Sequence, residues 1–405
     1  MTEKKREAGY AFGSTGFLPQ EEMLEIGKKK KKLIIGIPKE NKDFESRVAL
    51  TPEAVEILVN SGHEVALEKG AGDATNYSDS DYSECGARIS TKIDVFKSDI
   101  ILKIAAPILE EIELCKQNQI LFSSLHFRSK TEEYVRKLMQ KKITAISFEG
   151  LKGKDNCFPV IRSMSEIAGT SSVLIAAEYL SNVNKGKGIL LGGVTGITPT
   201  EVVILGAGTA AEYAVRAAQG LGAFVKVFDF SITKLKRLQS HLSQTLFTSV
   251  FHPQVLQNHL KSADIVIGAV YLDDKGPRYV ITEKMVQDMK KGAVIVDLSI
   301  DRGGCIETSK CTNHIKPTFT KYNVIHYCVP NIPSRVARTA SIALSNVFNP
   351  LLQEIAEAGG VKQLLKKDAG LRHGVYIYNG ILTNEHIGNH FDIPWKDIDL
   401  LMAAF

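Results

Sequence analysis

Two glycines, a small residue and a distant acid form the first chemically legible group in this 405-residue chain. Gly206-Ala207-Gly208-Thr209-Ala210-Ala211 follows the apolar run Val202–Leu205 and opens a stretch with helical spacing. Between a strand and a helix, G-x-G-x-x-G/A is a phosphate-binding turn. The first glycine makes the tight turn and the second lets a pyrophosphate approach the backbone N–H groups at the helix start. The last position takes a small side chain for helix–strand packing, which Ala211 supplies. Asp229 ends the next predicted strand, about 20 residues on, where an acid accepts hydrogen bonds from ribose hydroxyls. A 2′-phosphate would meet like charge there, so the pattern favours NAD over NADP. Asp264–Val270 reads as the following strand, with Val270 at its cofactor-facing end.

Such a turn needs a strand before it and a helix behind it, and the sequence supplies both repeatedly. Residues 33–38, a short apolar run ended by Pro38, read as a buried strand. A helix follows from Thr51, with Pro52 in its first turn and Val55, Leu58 and Val59 at helical spacing. Strands are expected near Glu64–Glu68, Ile100–Ile104, Ile120–Ser123 and Thr144–Ser147, with a helix over Glu132–Gln140. An alanine-rich helix covers 164–184, and the glycine-punctuated 187–196 links it to a second unit. That unit reads as strands Glu201–Leu205, Phe224–Asp229, Asp264–Ala269 and Val294–Leu298, with a helix over Ala210–Leu221. Beyond Asn331–Arg338 a long helix spans Thr339–Ala358, and the apolar ending Leu400–Phe405 is expected to pack. Strands alternating with helices in this way make mostly parallel sheets of the α/β class.

Composition bounds the function. A chain of this length exceeds what one core usually supports, so two domains are expected. Apolar content of 44% and charged content of 23% are ordinary for a globular protein. The net charge of +5 is small and partly local, in the run Lys28–Lys32, which reads as a solvated tail because nothing downstream resembles a nucleic-acid fold. Six scattered cysteines show no C-x-x-C pair and no metal spacing, so reduced thiols and no metal centre are expected. No apolar stretch approaches the ~18 residues of a membrane span. Residues 1–32 are polar, without an apolar signal core, and contain one short helix candidate at 21–26. The expected location is cytoplasmic.

Longer motifs extend these readings. They are Gly36-Ile37-Pro38-Lys39-Glu40, Glu45-Ser46-Arg47-Val48-Ala49-Leu50-Thr51-Pro52, Met164-Ser165-Glu166-Ile167-Ala168-Gly169, the run Val296–Gly304, and His326-Tyr327-Cys328-Val329-Pro330-Asn331-Ile332-Pro333. On these the chain resembles the alanine dehydrogenase and pyridine nucleotide transhydrogenase N-terminal family, from Leu33 to the C-terminus, and alanine dehydrogenase most of all. The resemblance implies a Rossmann-type NAD domain (161–337) inserted into a discontinuous α/β substrate domain (33–160 and 338–405), after an N-terminal extension (1–32). It implies reversible oxidative deamination of L-alanine to pyruvate and ammonia, usually by a homohexamer, with the Cα hydride passing to the nicotinamide.

The residues then take roles. Arg47 is the natural clamp for the α-carboxylate, because a guanidinium binds carboxylate bidentately. His126, in Leu125-His126-Phe127 just after the apolar strand Ile120–Ser123, resembles the family's active-site histidine, and its ordinary pKa of about 6.5 suits proton exchange near neutrality. Asp301 resembles the catalytic aspartate, which orients water or ammonium or holds the nicotinamide ribose. Asn331 is carried over as a contact to nicotinamide and substrate, and Ser165 as a hydroxyl of the cofactor pocket. Ile300 and Val329 join Val270, Asp301 and Asn331 in the expected cofactor set.

Two positions depart from the family pattern. Where alanine-deaminating members read K-V-K-E-P with a substrate-contacting second lysine, this chain reads Lys103-Ile104-Ala105-Ala106-Pro107. Lys103 lies two residues before the neutral Ala105, ~6.6 Å away on the same face of a regular strand. A lysine stem spans such a gap, which makes Lys103 a substrate-binding candidate. The family's usual D-Q-G-G is Asp301-Arg302-Gly303-Gly304 here. Other readings therefore stay open: a dehydrogenase for another small L-amino acid, the nucleotide-binding part of a transhydrogenase, a saccharopine dehydrogenase relative, or a catalytically silent NAD-binding protein. Retention of Arg47, His126 and Asp301 together argues against silence, since folding does not need all three.

Overall fold

A computed structural model of the chain describes residues 30–125, 130–242, 244–272 and 278–403. The short helix expected at 21–26 lies outside the described residues. Two lysines of the basic run make surface ion pairs, Lys30 with Glu357 at 3.0 Å and Lys32 with Glu64 at 2.6 Å.

The first sheet begins with β1 (Ile34–Ile37), β2 (Glu64–Glu68), β3 (Arg88–Ser90), β4 (Ile100–Ala105), β5 (Ile120–Ser124) and β6 (Thr144–Ser147). A second is built from β7 (Glu201–Leu205), β8 (Phe224–Asp229), β9 (Phe247–Val250), β10 (Ile265–Gly268), β11 (Val294–Asp297), β12 (Thr318–Lys321) and β13 (Val324–Tyr327). The chain then returns to the first sheet with β14 (Val375–Tyr378) and β15 (Ile381–Leu382). The strand orders are β15-β14-β6-β5-β4-β1-β2-β3 and β12-β13-β11-β10-β7-β8-β9. The fold is thus α/β, with a Rossmann-type unit inserted in a sheet made from both ends of the chain.

Both sheets contain the doubly wound order in which the first strand lies centrally and successive strands run outward on either side. Ligands bind such sheets beyond the carboxyl ends of the strands, where the order reverses. In the first sheet that point lies between β1 and β4, and in the second between β7 and β10. Antiparallel pairing is confined to the ends, at β12/β13, β6/β14 and β14/β15. Strands such as Val294–Asp297 and Thr144–Ser147 are buried throughout, as expected where helices cover both faces of a sheet.

Two long helices join the units. Pro159–Leu180 carries the chain out, starting with proline in its first turn, and Ala337–Glu357 carries it back. The returning helix holds the segment before Pro52 by hydroxyl groups: Val48 N–H donates to Ser341 Oγ and Thr51 N–H to Ser345 Oγ, both at 2.9 Å. Those serines lie one helical turn apart, so they present two acceptors in line. Near the terminus, Met402 packs into the first core while Leu400 is 72% exposed. Among the described residues no helix is long and apolar enough to cross a membrane.

Candidate active site

The glycine turn leaves the end of β7 at the switch point of the second sheet. Gly206 has φ +102°, and a Cβ there would lie 2.4 Å from the Ala269 carbonyl oxygen, so only glycine fits. Gly208 precedes the helix Thr209–Gly220 without a side-chain cap, and a Cβ on it would meet nothing within 4 Å. The uncapped helix start therefore has open space beside Gly208, the arrangement that receives a phosphate. Thr209 and Ala210 form the half-buried first turn, and Ala211 is fully buried. Gly169 of Pro159–Leu180 crosses there so closely that a Cβ would lie 2.1 Å from the Ala210 carbonyl oxygen. Ser165, half-buried, is one turn earlier on the same face.

Asp229 closes this turn from below. Its carboxylate accepts from Ala207 N–H and from Ser231 N–H, each at 2.7 Å. Arg237 donates to the Ala207 carbonyl at 3.0 Å. Each Asp229 oxygen keeps accepting capacity for a ribose hydroxyl. The Val270 carbonyl accepts from Ser299 Oγ at 2.8 Å, and Ile300 and Val329 are buried. The open helix start, the glycines without room or need for side chains, and the acid at the end of β8 fit a dinucleotide.

The facing wall comes from the carboxyl ends of the first sheet. Glu45 and Arg47 form a buried bidentate pair, Nε to Oε1 at 2.7 Å and Nη2 to Oε2 at 2.6 Å. Burial would raise the Glu45 carboxyl, yet Arg47 holds it below the ordinary range. The remaining terminal nitrogen, Nη1, lies 3.2 Å from Met164 Sδ. Asn331, in the left-handed region at φ +61°, donates from Nδ2 to Glu45 Oε2 at 2.7 Å. Ser46 N–H donates to Ser334 Oγ at 2.7 Å. Arg47 is therefore oriented from two sides, by its own unit and by the segment after β13.

Lys103 belongs to a second buried network. Its Nζ lies 2.5 Å from Glu40 Oε2 and 3.9 Å from Glu111, and Ile104 N–H donates to Glu40 Oε1 at 2.6 Å. Burial pushes the Glu40 carboxyl up to about 7, with Lys103 pulling the other way. The β4/β5 register shifts between Leu102 and Ala105, so the regular alternation assumed for Lys103 and Ala105 does not hold there. An inserted residue breaks the two-residue period and re-aims the side chains beyond it.

Asp301 sits in the short turn Ile300–Arg302 after β11, exposed and followed by Gly303 and Gly304 at positive φ. The Tyr271 hydroxyl feels the charges of Asp301 and Arg302 of the same unit and of Glu149 of the other, and Tyr376 feels those of Glu149 and Arg302. Arg302 Cζ stands 4.2 Å from the Tyr271 ring centre. Partial desolvation, then Asp301 and Glu149, raise the Tyr271 hydroxyl pKa, and Arg302 opposes them. Ser124 Oγ donates to Glu149 Oε1 at 2.9 Å. Glu149 also acts on Arg47, so its charge is felt by both the arginine pair and the Asp301 turn. His126 lies outside the described residues; Leu125, which precedes it and follows β5, is buried.

The fold thus brings Arg47, Asn331 and Asp301 to the facing strand ends, while Lys103 turns into its own network with Glu40. Sequence reasoning missed Glu40, Glu45, Glu149, Tyr271 and Tyr376. Glu45 carried a signal, because residues two apart in an extended segment share a side and Glu-Ser-Arg fits such a pair. Tyr376 carried none, since it is more than two hundred residues from its neighbours Ser147 and Glu149 along the chain.

Comparisons with known proteins agree with this architecture. The family pattern described as alanine dehydrogenase/PNT, N-terminal domain, matches residues 36–168, and its C-terminal counterpart matches 172–385. An alanine dehydrogenase of Staphylococcus saprophyticus is 39% identical over 369 residues, 91% of this chain and 99% of the relative. One of Methanococcus maripaludis is 39% identical over 366 residues, 90% of this chain and 98% of the relative. A solved L-alanine dehydrogenase superposes with a TM-score of 0.83 at 35% identity, covering 89% of this chain and 99% of that one. A transhydrogenase structure from Sinorhizobium meliloti shares the fold at TM-score 0.74 and 23% identity, covering 87% and 99%. Matches to both halves of the pattern, with relatives aligned over nine-tenths of the chain, make this protein a member of the alanine dehydrogenase/PNT family.

Proposed function

We propose that the protein catalyses the NAD-dependent, reversible oxidative deamination of L-alanine to pyruvate and ammonia. The observation that carries this reading is the Glu45–Arg47 pair, tied by Asn331 to the nucleotide-binding unit at 2.7 Å. That contact joins the proposed carboxylate ligand of the first sheet to the segment that follows β13 in the nucleotide-binding unit. When bound, the nicotinamide supplies the acceptor for the Cα hydride. Gly206, Ala207, Gly208, Thr209, Ala210 and Ala211 would hold the pyrophosphate with Ser165 nearby, and Asp229 the adenosine ribose. Val270, Ile300, Asp301, Val329 and Asn331 would line the nicotinamide side.

Arg47 binds the α-carboxylate through its Nη1 edge while Glu45 fixes the plane of the fork. His126 exchanges the amine proton, and Asp301 orients the water that attacks the resulting imine. Lys103 stands behind them, paired with Glu40, and offers the substrate a hydrogen-bond donor. The limits suggested by the chain's course are 33–160 with 338–405 for the substrate domain and 161–337 for the NAD domain. A cytoplasmic homohexamer is the matching assembly.

A second reading has Ala105 in its favour: a neutral, short side chain where the family pattern carries a lysine leaves room for a small L-amino acid other than alanine. One assay separates the two. NADH formation from NAD is followed with a panel of L-amino acids and with NADP as a control. L-alanine with NAD is expected to give the highest kcat/KM. A different preferred amino acid would install the second reading, and cofactor binding without turnover on any of them would defeat both.

A further inference from the structure

The cations of the cleft differ in what they are already bound to. Arg47 is neutralised by Glu45 through two hydrogen bonds, and Lys103 by Glu40 with Glu111 behind it. A carboxylate approaching either pair gains hydrogen bonds but little net attraction, because the nearby anion cancels the charge. Arg302 is different. It is exposed, makes no ion pair among the described residues, and is held with Cζ 4.2 Å from the Tyr271 ring centre. Its charge reaches Tyr376 across the cleft, where Tyr376 also feels Glu149. Among the described residues Lys130 also makes no ion pair with a carboxylate, but burial and the like charge of Lys103 weaken its ammonium form, so it is the poorer anion ligand.

We infer that Arg302 is a second substrate-binding cation, which takes the carboxylate of the amino or 2-oxo acid from the nucleotide-binding side while Arg47 holds it from the other. This deepens the amino-acid dehydrogenase reading above and rests on it. Stacking on a tyrosine ring presets the guanidinium plane, so less side-chain freedom is lost when the anion arrives. Asp301 is the neighbouring residue in the chain, which puts the anchoring cation and the water-orienting acid on one rigid turn. The two glycines that follow let that turn reverse without strain. Because Arg302 and Arg47 belong to different units, the substrate itself bridges them, and its affinity depends on how the dinucleotide-bound unit faces the first sheet.

The test uses the full chain and three measurements: KM for the best amino acid of the panel, Kd of NADH, and Kd of pyruvate for the NADH complex without ammonium. Arg302→Gln is expected to raise KM and the pyruvate Kd roughly 10- to 100-fold, the range for losing a charged hydrogen bond, with NADH affinity within about twofold. Arg302→Lys keeps the charge without the planar fork and is expected to fall between. Unchanged KM and pyruvate Kd in Arg302→Gln would overturn the assignment while leaving the dehydrogenase reading intact. Loss of NADH affinity in the same proportion would also overturn it, by making Arg302 a ligand of the dinucleotide phosphates. If the natural chain turns over no amino acid, the dehydrogenase reading fails, and the pyruvate titration still decides: weaker binding in Arg302→Gln supports the cation site, and no binding by the natural chain removes it.

Discussion

Glu40 is a carboxyl group whose surroundings disagree about its charge. Burial favours the neutral acid and Lys103 favours the anion, and burial prevails, leaving the group at about 7 instead of 4.5. The folded chain therefore holds this proton more tightly than the unfolded chain does. That contribution to stability is fully present below pH 4.5 and is lost as pH rises through about 7, on the order of 3 kcal/mol. His326 works in the opposite sense. Its Nδ1–H donates to the Val324 carbonyl, so Nε2 accepts from Thr308 Oγ1 at 2.8 Å, and burial lowers its pKa to about 4. Its contribution is complete above pH 6.5 and is lost as pH falls through about 4. Glu40→Gln should remove the first slope and leave the second, so the variant is expected to lose stability only on the acid side. Thermal melts from pH 4.5 to 7.5 check this; a variant curve parallel to that of the natural chain would contradict the assignment to Glu40.

Among the elements, the glycine turn and the helix crossing beneath it make different demands on the same residue type. At Gly206 both φ and the Ala269 carbonyl exclude a side chain, whereas at Gly208 the backbone is ordinary and the space is open. Gly206→Ala is expected to cost on the order of 2–3 kcal/mol of stability as well as cofactor affinity. Gly208→Ala should melt within about a degree of the natural chain yet bind NADH at least roughly tenfold more weakly, because its methyl stands where the pyrophosphate approaches. Equal NADH affinity in Gly208→Ala would remove the turn from the cofactor site. Gly169→Ala tests the crossing: a Cβ 2.1 Å from the Ala210 carbonyl oxygen is overpacking between helices, expected to cost about 2 kcal/mol in denaturant unfolding. The core strands and the phosphate turn were legible because their signals are local, an apolar run, a glycine pair and an acid within some thirty residues. The buried β13 was missed even so, and the edge strands were not legible. β3, β9 and β12 are short and only partly buried, so their apolar pattern is weak, and β14 is recognisable only by what it pairs with.

For the whole molecule, the return of the chain end to the first sheet completes the substrate side. β14 covers the edge of β6, pairing Val375 with Ile146 and Ile377 with Ala145, and brings Tyr376 toward Ser147 and Glu149. A chain ending at Gly374 would leave β6 as an open apolar edge, the situation that promotes aggregation. Such a truncation is expected to be recovered mainly as aggregate, as judged by size-exclusion chromatography. A soluble truncated chain with unchanged melting would show that the first sheet does not need its C-terminal strands. The sequence by itself determined the α/β alternation, the phosphate turn with its acid, and the residue types that chemistry on an amino acid requires, because each depends on neighbours a few residues or one strand away. Only the tertiary structure decided that Arg47 is committed to Glu45, that Lys103 answers to Glu40, and that Arg302 stands over Tyr271 beside residues of the other sheet. Those pairings depend on how two sheets face each other, and charge in a cleft is set by distance in space, which spacing along a chain does not encode.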